Sequence, residues 1–191
     1  HFFTKVFRAY SGGVFAVASV LIFMCQIITR ILVAKDYYES WQFVPILIIA
    51  TTYSCIVNFL ASVYMAKKKS LMSLVTAMSG AVTNFVLNLV FIPRMGANGA
   101  ALATVCAFLV VFVTRGIDTR RYIKIDFKLP VLLSETAVLV SQSVLLLKFG
   151  NTLWIYGVEA ALVVVMILLN LKPIKELVNL LLAKFIKKKK S

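Results

Sequence analysis

Six long apolar stretches, set apart by short charged segments, limit what this chain can fold into. Residues 9–29, 40–66, 70–93 and 95–114 carry no charged side chain, and residues 129–147 and 149–171 carry one glutamate each, Glu135 and Glu159. A helix needs roughly 17–25 apolar residues to cross the hydrocarbon of a bilayer, and every run meets that length. The runs are apolar on all sides, whereas a barrel strand alternates over about 10 residues. The expected fold class is therefore all-α: a polytopic membrane helical bundle of six transmembrane helices plus a C-terminal amphipathic interfacial helix.

Charge agrees with this arrangement. Of the 21 Lys and Arg residues, alternate inter-run segments hold 17 and the others 4, and the rich segments include Lys67–Lys69 and both ends of the chain. Positive residues collect on the cytoplasmic side of membrane proteins, so both ends are expected in the cytoplasm. The net charge of +14 could suggest a nucleic-acid partner. The cations sit at helix ends, however, where anionic lipid headgroups attract them by about 1 kcal/mol each. Membrane lipids, and no nucleic acid, are the expected partners.

Several function classes are disfavoured. The one histidine, His1, cannot serve a buried triad or a zinc helix, and no glycine-rich phosphate loop occurs. No enzyme activity, metal or cofactor is expected. Cys25, Cys55 and Cys106 each lie inside an apolar run, without the spacing of a metal or redox motif, and read as small buried hydrophobes. The chain opens on His1, which reads as a piece of a longer protein.

Along the chain, the first helix is expected from about Gly12 to Leu32, followed by an outer turn where Tyr37, Tyr38 and Trp41 form an aromatic belt. Pro45 falls in the first turn of the second helix, where its missing N–H does little harm. In the third, Ser73, Thr76, Gly80, Asn84 and Asn88 share one face, while Leu74, Met78, Phe85 and Leu89 point elsewhere. Pro93 is expected to stop that helix, with Gly96 and Gly99 forming a structural turn. Gly99, Ala103 and Ala107 then recur every four residues, a spacing that lets helix backbones approach closely. The two helices should form a tight hairpin.

Residues 115–128 read as a charged inner linker. The expected organisation is a four-helix part over 1–116, a further helix pair over 117–171, and an amphipathic basic tail over 172–191. In that tail Ile174, Leu177, Val178, Leu181 and Phe185 oppose Lys175, Glu176, Asn179 and Lys184 ahead of four terminal lysines. Such a helix lies in the interface and binds anionic headgroups.

Polar residues inside the runs are the functional candidates, because they are costly there. Glu159 is a coupling-ion candidate, with a hydrogen-bonded packing role as the alternative. Glu135 lies near the inner surface and is expected to snorkel to water. Gln26 and Arg30 could offer donors to an anionic ligand, although Arg30 can also snorkel to the outer headgroups. Asn84 and Asn88 could line a substrate cavity or bond across to neighbouring helices.

Leu87, Asn88, Ile92, Pro93, Gly96, Gly99, Ala100, Ala101, Ala103 and Thr104 resemble the hairpin of the polysaccharide transporters. These are the lipid-linked oligosaccharide flippases of the multidrug/oligosaccharidyl-lipid/polysaccharide exporter superfamily. Tyr37–Ser40 is similar to the outer turn of that family and Lys67–Lys69 to its basic inner loop, so the likeness covers roughly residues 5–115. The resemblance implies a multi-pass protein of the bacterial cytoplasmic membrane, with two lobes that rock about a cationic cavity to move a lipid-linked oligosaccharide outward. This chain would then be the C-terminal portion, without the first two helices of its lobe, and no substrate residue transfers from the family. Two alternatives stay open: a cation-coupled multidrug or metabolite exporter of the same superfamily, and a non-transporting membrane scaffold for glycosyltransferases.

The charge pattern makes a direct prediction. Single cysteines replacing Lys68 and Arg120 should react with an impermeant thiol reagent from the same membrane face, and labelling from opposite faces would overturn the topology.

Overall fold

A computed structural model describes the backbone of residues 2–123, 127–150 and 153–189; the side chains of 2, 35–37, 39, 153, 174 and 176–189 lie outside the described set. Its regular elements are all helical: α1 (Phe2–Leu32), a short 3₁₀ segment (Lys35–Gln42), α2 (Val44–Ala66), α3 (Ser70–Thr119), α4 (Leu129–Phe149) and α5 (Leu153–Lys189). Five of them are long and apolar enough to cross a membrane.

The 50 residues of α3 would extend about 75 Å as a straight rod, more than twice the roughly 30 Å of hydrocarbon. The helix is instead folded back at Gly96, whose φ of 58° and ψ of −134° leave helical space. Only glycine adopts such a conformation without strain. The two arms then run antiparallel, with Asn84 Nδ2 donating to Thr104 Oγ1 at 3.4 Å and Arg115 Nε donating to Thr76 Oγ1 at 3.0 Å.

Small residues make this approach possible. A Cβ on Gly99 would lie 2.5 Å from the Phe91 carbonyl oxygen, and one on Gly80 would strike the Val111 side chain. The opposite face of the first arm is open: Leu74, Met78, Phe85 and Leu89 are 57–67% exposed, as suits side chains solvated by lipid. The expected tight hairpin is thus present. Pro93 does not end the first arm as expected, because the helix continues through it to the break at Gly96. Loss of one backbone hydrogen bond in the last turn before a reversal is tolerated.

α1 is the shared element of the bundle and packs on α2, α4 and α5. Its fully buried Phe7, Phe15 and Ile22 meet Ile56 and Leu60 of α2, Leu139 and Leu146 of α4, and Met166 of α5 in one core. Phe7 makes edge-on contacts with Phe59 and Phe127 at 5.4 and 5.2 Å between centroids. α1 therefore begins at Phe2, well before the expected Gly12. Its first turns are held by this aromatic cluster despite Lys5 and Arg8.

Two boundaries differ at the other end of the chain. Residues 115–119, expected in a loop, complete the second arm of α3, and α5 continues as helix through Pro173 to Lys189. The side chains on which an amphipathic tail depends lie outside the described residues.

The glycines can be ranked by substitution. Gly96→Val and Gly99→Leu should each cost about 1–3 kcal/mol, the range for strained backbone or overpacking. Gly13→Ala, which meets nothing within 4 Å, should be neutral or stabilising by up to about 1 kcal/mol. Detergent-denaturation midpoints of the three variants would test the ranking.

Candidate functional site

Polar side chains concentrate in two regions of the bundle. The first lies between α2 and the two arms of α3, around a cavity of about 410 Å³ lined by Asn58, Gly80, Asn84, Thr104, Ala107 and Arg115 among others. Arg115 is 5% exposed at one end of it. Its Nε donates to Thr76 Oγ1 (3.0 Å), Nη1 to the Val57 carbonyl (2.8 Å) and Nη2 to the Ser73 carbonyl (3.1 Å). One rigid guanidinium fork thus ties α2 to both arms through neutral oxygens, as a flexible ammonium could not.

The sequence reading placed Arg115 in the inner linker and missed this role. A signal was available, since Gly99, Ala103, Ala107, Val111 and Arg115 continue a single four-residue row, and all five are buried. The row of small residues that faces the first arm ends in the group that fastens it.

The second region is a polar seam between α1, α4 and α5. Ser19 Oγ donates to Gln142 Oε1 at 2.8 Å, and Gln142 Nε2 donates to Glu159 Oε2 at 3.0 Å; Ser19, Gln142 and Glu159 are each 0% exposed. Toward the α4 N-terminus, Arg8, Ser11, Lys128, Glu135 and Asn170 line a cavity of about 10 Å³. Gly12 leaves room there for the Asn170 side chain, which any Cβ would strike. Toward the opposite end, Tyr156 Oη donates to Gln26 Oε1 at 2.7 Å. Among the described residues Glu159 Oε1 and Glu135 Oε2 are buried without a hydrogen-bond partner.

Glu135 corrects an expectation, because at 2% exposure it does not snorkel to water. It is held inside by the packing of α1 and α5 across it. Gln142 and Asn170 were also missed. Gln142 lies seven residues beyond Glu135 and Asn170 eleven beyond Glu159, spacings that return to the same helix face.

The remaining candidates separate into distinct places. Gln26 is 7% exposed and belongs to the seam, while Arg30, one turn on, is exposed and sits 5.7 Å over the Tyr38 ring. Asn84 lines the hairpin cavity and accepts a 2.8 Å hydrogen bond from Asn88 Nδ2. Asn88 Oδ1 is buried without a partner. The pair Gln26 and Arg30 is therefore not joined with the pair Asn84 and Asn88. Pro93, Gly96 and Gly99 lie at the reversal. Cys25 is buried, Cys55 and Cys106 are half-buried, and all three are free thiols.

Comparison with family models, curated proteins and solved structures gives no match for this chain.

Arg115→Ala should destabilise the bundle by about 2–3 kcal/mol, the usual scale for losing hydrogen bonds from a charged group. Arg115→Lys should recover less than half of that loss. Unfolding in mixed micelles measures both, and a neutral Arg115→Ala would show that the fork does not hold α2 to α3.

Proposed function

We propose that this chain is the C-terminal part of a bacterial flippase that carries a lipid-linked oligosaccharide across the cytoplasmic membrane for surface polysaccharide assembly. The observation that carries the reading is the reversal at Gly96, which falls inside the stretch, Leu87 to Thr104, that resembles the polysaccharide transporters. Counting α3 as two passes gives six crossings, and with six the basic segments alternate as the positive-inside rule requires. Both ends of the chain are then cytoplasmic.

In this reading α2 and the two arms of α3 move as one body, because the Arg115 fork ties them together. Asn84 lines the cavity between these elements and Asn88 donates to Asn84; both are candidates for contact with a polar substrate group. Gln26 and Arg30 form a separate candidate pair near the outer end of α1. The basic tail from Lys172 onward binds anionic headgroups.

A second reading is a cation-coupled exporter of drugs or metabolites, favoured by the buried Glu159 with its unpartnered oxygen. Resistance profiling of a strain lacking the gene separates the two, since a drug exporter changes drug tolerance and leaves surface glycan intact.

Translocation of a lipid-linked glycan by the full-length protein tests the first reading. Asn84→Leu and Asn88→Ala should each reduce it about tenfold, equivalent to about 1.4 kcal/mol. Export at the wild-type rate in both variants and in Arg30→Ala would remove these residues from the substrate path.

A further inference from the structure

We propose that Glu135 and Glu159 are two proton-binding stations on one polar seam that crosses the bundle between α1, α4 and α5. The proposal deepens the transport reading above and rests on it only for what the proton drives. Contacts fix the order of the seam: Arg8 and Ser11 lie beside Glu135 and Asn170, Ser19 beside Gln142 and Glu159, and Gln26 beside Tyr156. From Arg8 to Gln26 the α1 backbone rises roughly 27 Å at 1.5 Å per residue. That nearly equals the thickness of the roughly 30 Å hydrocarbon.

Helix packing alone does not account for these two acids. An orphaned buried polar atom costs about 1–3 kcal/mol, more for a charged group than for a neutral amide oxygen such as that of Asn88. Here Glu135 and Glu159, at 2% and 0% exposure, each keep one buried oxygen without a partner. At Glu159 a carboxylate in the low-dielectric interior requires a positive species, whereas Glu135 shares its small cavity with Arg8 and Lys128. At Glu159 the nearest side-chain amide, Gln142, is already oriented by Ser19 and turns its N–H toward the carboxyl group. That donor satisfies Oε2 and leaves Oε1 with free lone pairs, where a single proton fits without further ligands.

The remaining surroundings set the roles of the two stations. Glu135 shares its cavity with Arg8 of α1, Asn170 of α5 and Lys128 at the start of α4. The small cavity there, about 10 Å³, is near the lower limit for one water molecule, which makes Glu135 the entry. Glu159 faces Gln142 of α4 and the Cys25 thiol of α1 and lies deeper in the bundle. A proton passes from water to the Glu135 carboxylate, leaves it, and binds the Glu159 carboxylate; no group is oxidised or reduced. Counted to Gln142, the stations are roughly 10 Å apart along α4, too far for a direct hand-over between the two carboxyl groups.

Infrared difference spectroscopy of the whole chain in phosphatidylcholine vesicles, between about pH 5 and pH 9, reads each carboxyl group by its C=O stretch. The expected result is two titrating bands, one absent in Glu159→Gln and the other in Glu135→Gln. Gln142→Leu should shift the Glu159 midpoint several-fold in proton concentration. Wild-type spectra unchanged by Glu159→Gln, with the variant folded by circular dichroism, would overturn the proposal. So would a Glu159 midpoint that moves about tenfold on replacing choline by sodium, which would make this a sodium site. Glycan export is not part of the measurement. Intact bands with no export count against the flippase reading alone, and export without bands counts against the proton seam alone.

Discussion

A leucine is as well solvated by acyl chains as by another leucine, so apolar side chains give these helices little reason to associate in a membrane. Close backbone approach and buried polar contacts must hold them together, and the bundle uses one device on each side of α2. On the α3 side, Gly80 and Gly99 bring two arms together and Arg115 clamps them to Val57. On the α1 side, Ser19, Gln142 and Glu159 connect helices far apart in sequence. The exposed leucines and valines on the outer surface contribute solubility in lipid rather than cohesion.

The two devices differ in how completely they are satisfied. Each of the Arg115 guanidinium nitrogens meets an oxygen, an arrangement that resists rearrangement because every alternative leaves a charge unpaired in a dry environment. The seam keeps acceptors in reserve at Glu135 and Glu159. Whatever neutralises them alters the electrostatics at the contact between α1 and its two partners.

What the sequence made legible follows from periodicity. The face bearing Ser73, Thr76 and Gly80 does turn toward the second arm, and Leu74, Met78, Phe85 and Leu89 do turn away. The lengths and apolar character of α2 and α4 were equally readable. Helix ends were not, because charge was taken as their marker: Lys5, Arg8 and Arg115 all lie within helices. Pro93 misled in the same way, since the break depends on the backbone freedom of Gly96, three residues later. In the candidate site, Glu159 and Gln26 were visible as costly polar groups in apolar runs. Their partners Gln142 and Tyr156 were not, because pairing across 17 and 130 residues depends on which helices become neighbours. Local pattern carries no such information.

The reversal at Gly96 also bears on how the chain enters a membrane. Between the two arms of α3 the only formal charge is Arg94, exposed beside the turn. Moving one arginine through hydrocarbon costs about 2.5–3.5 kcal/mol by insertion measurements, which two apolar arms can offset if they partition together. The arms close on each other through neighbouring residues, without waiting for α4 or α5 to be made. In the proposed topology this segment therefore integrates as a paired unit with its tip leading, before the rest of the bundle has emerged.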